Sequence, residues 1–172
     1  MEFSNSLIHW YLQNKRDLPW RNTTNPYPIW LSEIMLQQTR VTQGLPYFLS
    51  FTDAFPTIFD LANADEEQVL KLWQGLGYYS RARNLHATAK QIAFELNGEF
   101  PPTYKELLKL KGVGEYTAAA IASFSYNEPF AVLDGNVFRV LSRYFNVDSD
   151  ISLPKTKIEF QQLAQEVLDK KN

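Results

Sequence analysis

Three segments of the sequence carry residues whose types and spacing could do chemistry together. The first, Leu110-Lys111-Gly112-Val113-Gly114-Glu115-Tyr116, reads as two helices joined by a Gly-x-Gly turn. Glycines permit a tight turn and a close backbone approach, so the amides that open the second helix would point at an anion such as a phosphate. Lys109 and Lys111 add local positive charge. The second, Leu133-Asp134-Gly135-Asn136-Val137, places a carboxylate at the start of the next helix, where the positive helix end keeps it ionised. An ionised carboxylate can stabilise a developing cation such as an electron-poor sugar. The third, Trp30-Leu31-Ser32-Glu33-Ile34-Met35-Leu36-Gln37-Gln38-Thr39, sets Glu33 at the border of an apolar helical stripe. A carboxyl held against aromatic and apolar groups has a raised pKa and can act as a general acid near neutral pH.

Each feature also has a plainer reading. The hairpin can be a packing corner, Asp134 a helix cap and nothing more, and Glu33 an ordinary boundary residue. Tyr116 and Asn136 stand where they could orient the carboxylate. Gln37, Gln38, Tyr78 and Tyr79 could contact bases. The turn Gly75-Leu76-Gly77-Tyr78-Tyr79 puts aromatics on a tight loop, from which a side chain can wedge between base steps, or pack in the core instead.

Composition narrows the classes. The 172 residues are 45% hydrophobic and 21% charged, which suits one folded domain, or one with a small second lobe, and excludes a disordered chain. There is no cysteine, so this chain forms no disulfide, thiolate nucleophile, zinc–thiolate site or cysteine-ligated iron–sulfur cluster. His9 and His86, the two histidines, lie in no metal-ligand spacing. The net charge of −2 weighs against wrapping duplex DNA by bulk charge. It leaves room for binding through backbone amides and local cations, and Arg16, Arg21, Arg40, Arg81, Arg83, Lys109 and Lys111 lie in or near the motifs. No apolar run is long enough to span a bilayer and no signal-peptide layout is present, which places the chain in the cytosol.

The elements that must position these residues are all helical, because no segment alternates apolar and polar residues. Helices are expected from Ser4, with Ser4-Asn5 as the cap, to Asn14; from Pro28 through Gln38; and from Val41 to Phe51, with Pro46 as a kink or break. Asp65 caps a short helix containing Val69, Leu70 and Trp73. Another starts at Ser80 and stops at Asn97-Gly98. Thr103-Tyr-Lys-Glu106 is a capping box that opens the first hairpin helix, and Tyr116–Phe124 is the second. Asp134–Phe145 and Pro154–Leu168 complete about nine or ten short helices.

Taken together, these residues closely resemble the catalytic domain of adenine DNA glycosylases of the MutY type, members of the helix–hairpin–helix superfamily that includes endonuclease III. The resemblance runs from about Trp10 to the last helix. Its further landmarks are Leu18-Pro19-Trp20, Pro26-Tyr27, Phe55-Pro56-Thr57, Leu61-Ala62, Leu72 through Tyr79, and Arg81 through Leu85. It implies an all-α glycosylase fold: a six-helix barrel domain over 23–135 with the hairpin at 103–125, residues 1–22 as the N-terminal helix and linker of a second lobe, and 136–172 as helices returning to that lobe. It implies excision of adenine mispaired with 8-oxoguanine or guanine from double-stranded DNA by a monomeric enzyme that flips the base out. Glu33 would protonate adenine N7, and Asp134 would stabilise the oxocarbenium-like sugar, electrostatically or as a transient nucleophile. Tyr116 and Asn136 would support them. Gln37, Gln38, Thr39, Tyr78, Tyr79, Arg81 and the hairpin residues Lys111, Gly112, Val113 and Gly114 would meet the DNA, with Tyr78 as the wedge and a monovalent cation in the 110–114 hairpin.

Three departures bear on that picture. Bifunctional relatives use a lysine in the hairpin helix as a Schiff-base nucleophile, and Tyr116 stands there, which implies base removal without an efficient lyase step. Family members usually continue into four cysteines holding a [4Fe–4S] cluster and a C-terminal domain that reads 8-oxoguanine. The expectation is therefore a core taken from a longer chain, with a natural cluster-less form as the alternative, and an exposed Leu7, Ile8 and Tyr11 face on the first helix. Lys111 also stands where the family most often has proline. The open alternatives are a noncatalytic DNA-binding module, a glycosylase for another base such as thymine opposite guanine, and a helical protein–protein module.

Overall fold

The computed structural model describes residues 2–170. In chain order the helices are α1 (Glu2–Asn14), a 3₁₀ turn at Pro19–Arg21, α2 (Pro26–Met35), α3 (Val41–Ala54), α4 (Ile58–Asn63), α5 (Glu66–Leu72), α6 (Tyr79–Lys90), α7 (Tyr104–Leu107), α8 (Glu115–Tyr126), α9 (Gly135–Phe145) and α10 (Pro154–Val167). The described residues contain no strand. No helix among them is long and apolar enough to cross a membrane.

α2 is the helix around which the rest is arranged. Asn25 caps it by accepting the Tyr27 N–H, and Pro26 fills a first-turn position that needs no donor. Its sequence is apolar nearly all round, and Tyr27, Ile29, Trp30, Leu31, Ile34 and Met35 are all buried, as expected of a helix with neighbours on every side. It packs against α3, α6, α8 and the 3₁₀ turn. Glu33 is the one charged side chain in this helix.

Most expected helices are present, with differences that have local causes. α1 begins before Ser4, which is not a cap: it is buried within the helix, and its hydroxyl donates to the Val167 carbonyl. The α1 stripe is exposed at Leu7 and Tyr11 and partly exposed at Ile8. Pro46 neither breaks nor ends α3, which runs on to Ala54. α4 was not expected from the apolar pattern, although Thr57 and Asp60 form a full capping box at its start. At Thr103 only half of that motif forms. Its hydroxyl accepts the Glu106 N–H, while the Glu106 carboxylate accepts a hydrogen bond from the Thr103 hydroxyl rather than from a backbone N–H. α6 widens into a π-helical turn over Gln91–Glu95 before Asn97 and Gly98 end it in left-handed conformations.

Two hydrophobic cores result. The larger joins Trp30, Phe51, Phe55, Leu61, Trp73, Leu85, Ile92, Leu107 and Ile121, drawn from helices between α2 and α8. The smaller is built from Ala131, Leu141, Phe160, Ala164 and Val167, with Phe3 of α1 packed on it. Leu18 and Trp20 lie in the larger core, and Ala131 and Leu133 in or against the smaller one. The larger core thus takes in residues from Leu18 on, and the smaller one takes in Ala131 and Leu133 before α9 begins. The irregular segment between α8 and α9 makes the second crossing and ends at Asp134.

Candidate active site

The two candidate carboxylates come together with Tyr116 and Arg21. Glu33, from α2, is half-buried between the cores. Burial pushes its carboxyl above the ordinary value of 4.5, and the Asp134 charge pushes the same way. The Arg21 guanidinium and a hydrogen bond donated by the Tyr116 hydroxyl pull it partly back. Desolvation is the largest of these, so Glu33 holds its proton to higher pH than an exposed glutamate. Burial and the two carboxylates push the Tyr116 hydroxyl up to about 12. At neutral pH it is therefore a neutral donor, hydrogen-bonded to Glu33.

Asp134 is the N-cap of α9. Its Oδ1 accepts the backbone N–H groups of Asn136 (2.9 Å) and Val137 (2.8 Å). Its Oδ2 accepts the Asn136 side-chain amide at 3.1 Å, and Asn136 Oδ1 in turn accepts from Arg139 at 2.6 Å. The cap geometry fixes the carboxylate while leaving acceptor capacity on Oδ2, so capping leaves room for a charge role. Gln37, Gly114, Tyr116 and Leu133 line one cavity of about 370 Å³ beside these groups.

The hairpin turns where expected. Gly112 adopts φ +73, and a Cβ there would lie 3.0 Å from the Asn84 Cβ. Val113 is buried, and its N–H donates to the Leu110 carbonyl at 3.2 Å. The Thr88 hydroxyl donates to the Lys111 carbonyl and ties the turn to α6, while the Lys111 side chain is exposed. Gly114 is the N-cap of α8, so the amides of Glu115, Tyr116 and Thr117 open that helix without intrahelical partners. Gly112→Ala is expected to destabilise the chain by about 1–2 kcal/mol, from the left-handed backbone alone. Chemical denaturation measures it, and an unchanged midpoint would show that the turn relaxes.

Gln38 and Tyr78 are set apart by their backbones. Both are non-glycine residues in the left-handed region, at φ 54 and 48. Such conformations persist only where the surroundings enforce them. Tyr78 is 64% exposed and available as a wedge, and Tyr79 begins α6 at 39%. Thr39 is turned inward, its hydroxyl donating to the Gln37 carbonyl at 3.2 Å.

Arg81, expected to meet DNA, makes its hydrogen bonds within the chain. Its guanidinium donates to the carbonyls of Ile34 (3.0 Å), Met35 (3.1 Å) and Gln37 (2.6 Å) at the end of α2. It also reaches Leu76 and Gly77 at 3.3 and 3.4 Å, and lies over the Trp73 and Tyr78 rings. The fork is spent on carbonyls, and it ties the Gln38 loop to the Tyr78 loop. Arg81→Lys should cost about 1–3 kcal/mol, because one ammonium cannot serve two loops. Arg83→Ala removes only an exposed ion pair with Glu66 at 3.5 Å and should cost no more than about 1 kcal/mol. Thermal unfolding of both variants checks the contrast.

Sequence reasoning did not single out Arg21 as a partner of Glu33. It ends the 3₁₀ turn, and its guanidinium stacks 4.8 Å from the Phe124 ring. A lone arginine after Leu18-Pro19-Trp20 carries no signal for this, since the contact depends on how α2 and α8 pack. With no cysteine, the chain offers no thiolate ligands for an iron–sulfur cluster. No group of three or more His, Cys, Asp or Glu side chains among the described residues could hold a metal.

The chain is similar to known proteins. A family model described as "HhH-GPD superfamily base excision DNA repair protein" matches residues 31–170. An adenine DNA glycosylase of Buchnera aphidicola subsp. Baizongia pistaciae is 46% identical over 147 residues, covering 85% of this chain and 42% of that protein. The human adenine DNA glycosylase is 43% identical over 176 residues, covering 97% of this chain and 32% of that protein. The chain thus spans less than half the length of these curated relatives. A thermostable thymine-DNA glycosylase structure superposes with a TM-score of 0.89 at 26% identity, covering 98% of this chain and 78% of that one. The matched family model, the all-helical fold and the hairpin beside two carboxylates together show that the chain belongs to the HhH-GPD superfamily of base excision DNA repair proteins.

Proposed function

We propose that this chain is the catalytic core of a monofunctional adenine DNA glycosylase that acts on adenine mispaired with 8-oxoguanine or guanine. The observation that carries this reading is the meeting of Glu33, Tyr116 and Asp134, each shifting or orienting another, at the crossing between the cores. The identity of 46% and 43% to two adenine DNA glycosylases supports the choice of base. Gln38 and Tyr78, on the two loops joined by Arg81, engage the lesion, and the hairpin amides hold the backbone phosphate. The Leu110 and Lys111 carbonyls already accept hydrogen bonds and each keep a second lone pair, which suits a weakly held monovalent cation.

The adenine leaves the stack and enters the site, where the glycosidic bond becomes reachable. Protonated Glu33 gives its proton to N7, and the base departs with the bonding electrons. Asp134 offsets the positive charge that builds on the sugar. Water adds at the anomeric carbon and gives its proton to the Glu33 carboxylate, which leaves free adenine and an abasic site and restores the acid. Tyr116, a neutral phenol in place of an amine, forms no Schiff base, so the strand stays intact.

A panel of duplexes containing A:8-oxoguanine, A:G, T:G and A:T, scored for released base by chromatography, tests the assignment. Adenine should be released from the first two only. Thymine release from T:G would transfer the chain to another branch, and binding without release would make it a DNA-binding module.

A further inference from the structure

Asp134 ends an irregular segment whose backbone is fastened from the side by α10. Gln161 donates its side-chain amide to the Ala131 carbonyl at 3.0 Å. One helical turn later, Gln165 accepts the Ala131 N–H at 3.0 Å through Oε1 and donates to the Pro129 carbonyl at 2.6 Å. Residues four apart share a helix face, so the two glutamines act as a substitute strand. They satisfy both backbone groups of Ala131, which is only 7% exposed. The Phe130 ring stacks on Tyr104 at 4.3 Å and holds the other side. A further turn back, Lys157 pairs with Glu115, the neighbour of Tyr116. Both side chains of that pair are more than half exposed, so the pair contributes little.

We infer that Gln161 and Gln165 are positioning residues that set the height of Asp134 against the sugar by clamping the segment leading to it. This rests on the reading of Asp134 as the group that offsets sugar charge. The cap bonds orient the carboxylate relative to α9, but they do not fix α9 and its cap relative to Glu33 across the two cores. The clamp fastens the segment leaving α8 to α10, which packs under α9, while Phe130 on Tyr104 ties the same segment to the larger core. A small displacement of a charged group at a reacting centre carries large kinetic consequences.

The test is an equilibrium one. Affinities of the 172-residue chain are measured for two duplexes opposite 8-oxoguanine, one with a pyrrolidine nucleotide analogue whose ring nitrogen is protonated, one with a neutral tetrahydrofuran. The ratio reads the field of Asp134 at the sugar. In Gln165→Leu the preference for the cationic analogue should fall on the order of tenfold, with tetrahydrofuran affinity unchanged. Gln161→Leu, which removes one bond, should do the same to a smaller degree and serves if the other variant does not fold. In an Asp134→Asn background neither substitution should lower the ratio further. A preference retained in the folded variants, or an equal loss in the Asp134→Asn background, overturns the clamp. A wild-type chain with no preference overturns the role of Asp134 and the clamp with it.

Discussion

Glu33→Gln should abolish base excision, lowering the single-turnover rate by at least about 10²–10⁴-fold, the contribution typical of a positioned acid. DNA affinity should stay as in the wild type, since the hairpin, Tyr78 and Gln38 are untouched. The amide keeps the shape and can still accept the Tyr116 hydroxyl, but it has no proton to give. Burial raises the Glu33 carboxyl above 4.5, so the active protonated form persists upward in pH and the wild-type rate falls as pH rises through that raised value. The same shift has a stability consequence. The folded form binds the Glu33 proton more tightly than the unfolded form, so its contribution is complete below 4.5 and is lost as pH rises through the folded pKa. Glu33→Gln should therefore unfold at a higher temperature than wild type at neutral pH, with the gap closing toward acid. Excision retained by the variant would remove Glu33 from the chemistry. A gap that widens in acid would contradict its burial.

Asp134→Asn should lower excision by about 10²–10³-fold, the scale set by removal of a preorganised charge partner in other enzymes. The fold should survive, because asparagine caps helices about as well as aspartate and its oxygen can accept the same Asn136 and Val137 amides. Asp134→Ala would lose charge and cap together, adding about 1 kcal/mol of destabilisation. Comparing single-turnover rates with thermal unfolding separates the two roles. Unchanged turnover in Asp134→Asn would leave only the cap.

Helix positions were legible where a cap or breaker declared itself: Asn97-Gly98, Thr103, Asp134. The Asp134 cap and the Gly112 turn were legible because both depend on nearby sequence. The internal bonds of Arg81 were not legible, since an arginine on a polar helix face gives no sign of five carbonyls at the end of α2 and on the loops beside it. Arg21, Gln161 and Gln165 act across elements far apart in sequence, and nothing local distinguishes them from surface residues. α4 lay in plain view as a Thr-x-x-Asp box, but its six residues are too few for periodicity to show.

The central claim is acid-assisted cleavage at Glu33 and Asp134 with no lyase step. Its most direct test is single-turnover reaction of this chain with an 8-oxoguanine:adenine duplex across a pH series, each sample split between direct analysis and hot alkali. The account predicts strand breaks only after alkali, at a rate that declines as pH rises. Breaks without alkali, or a rate that climbs with pH, would contradict it.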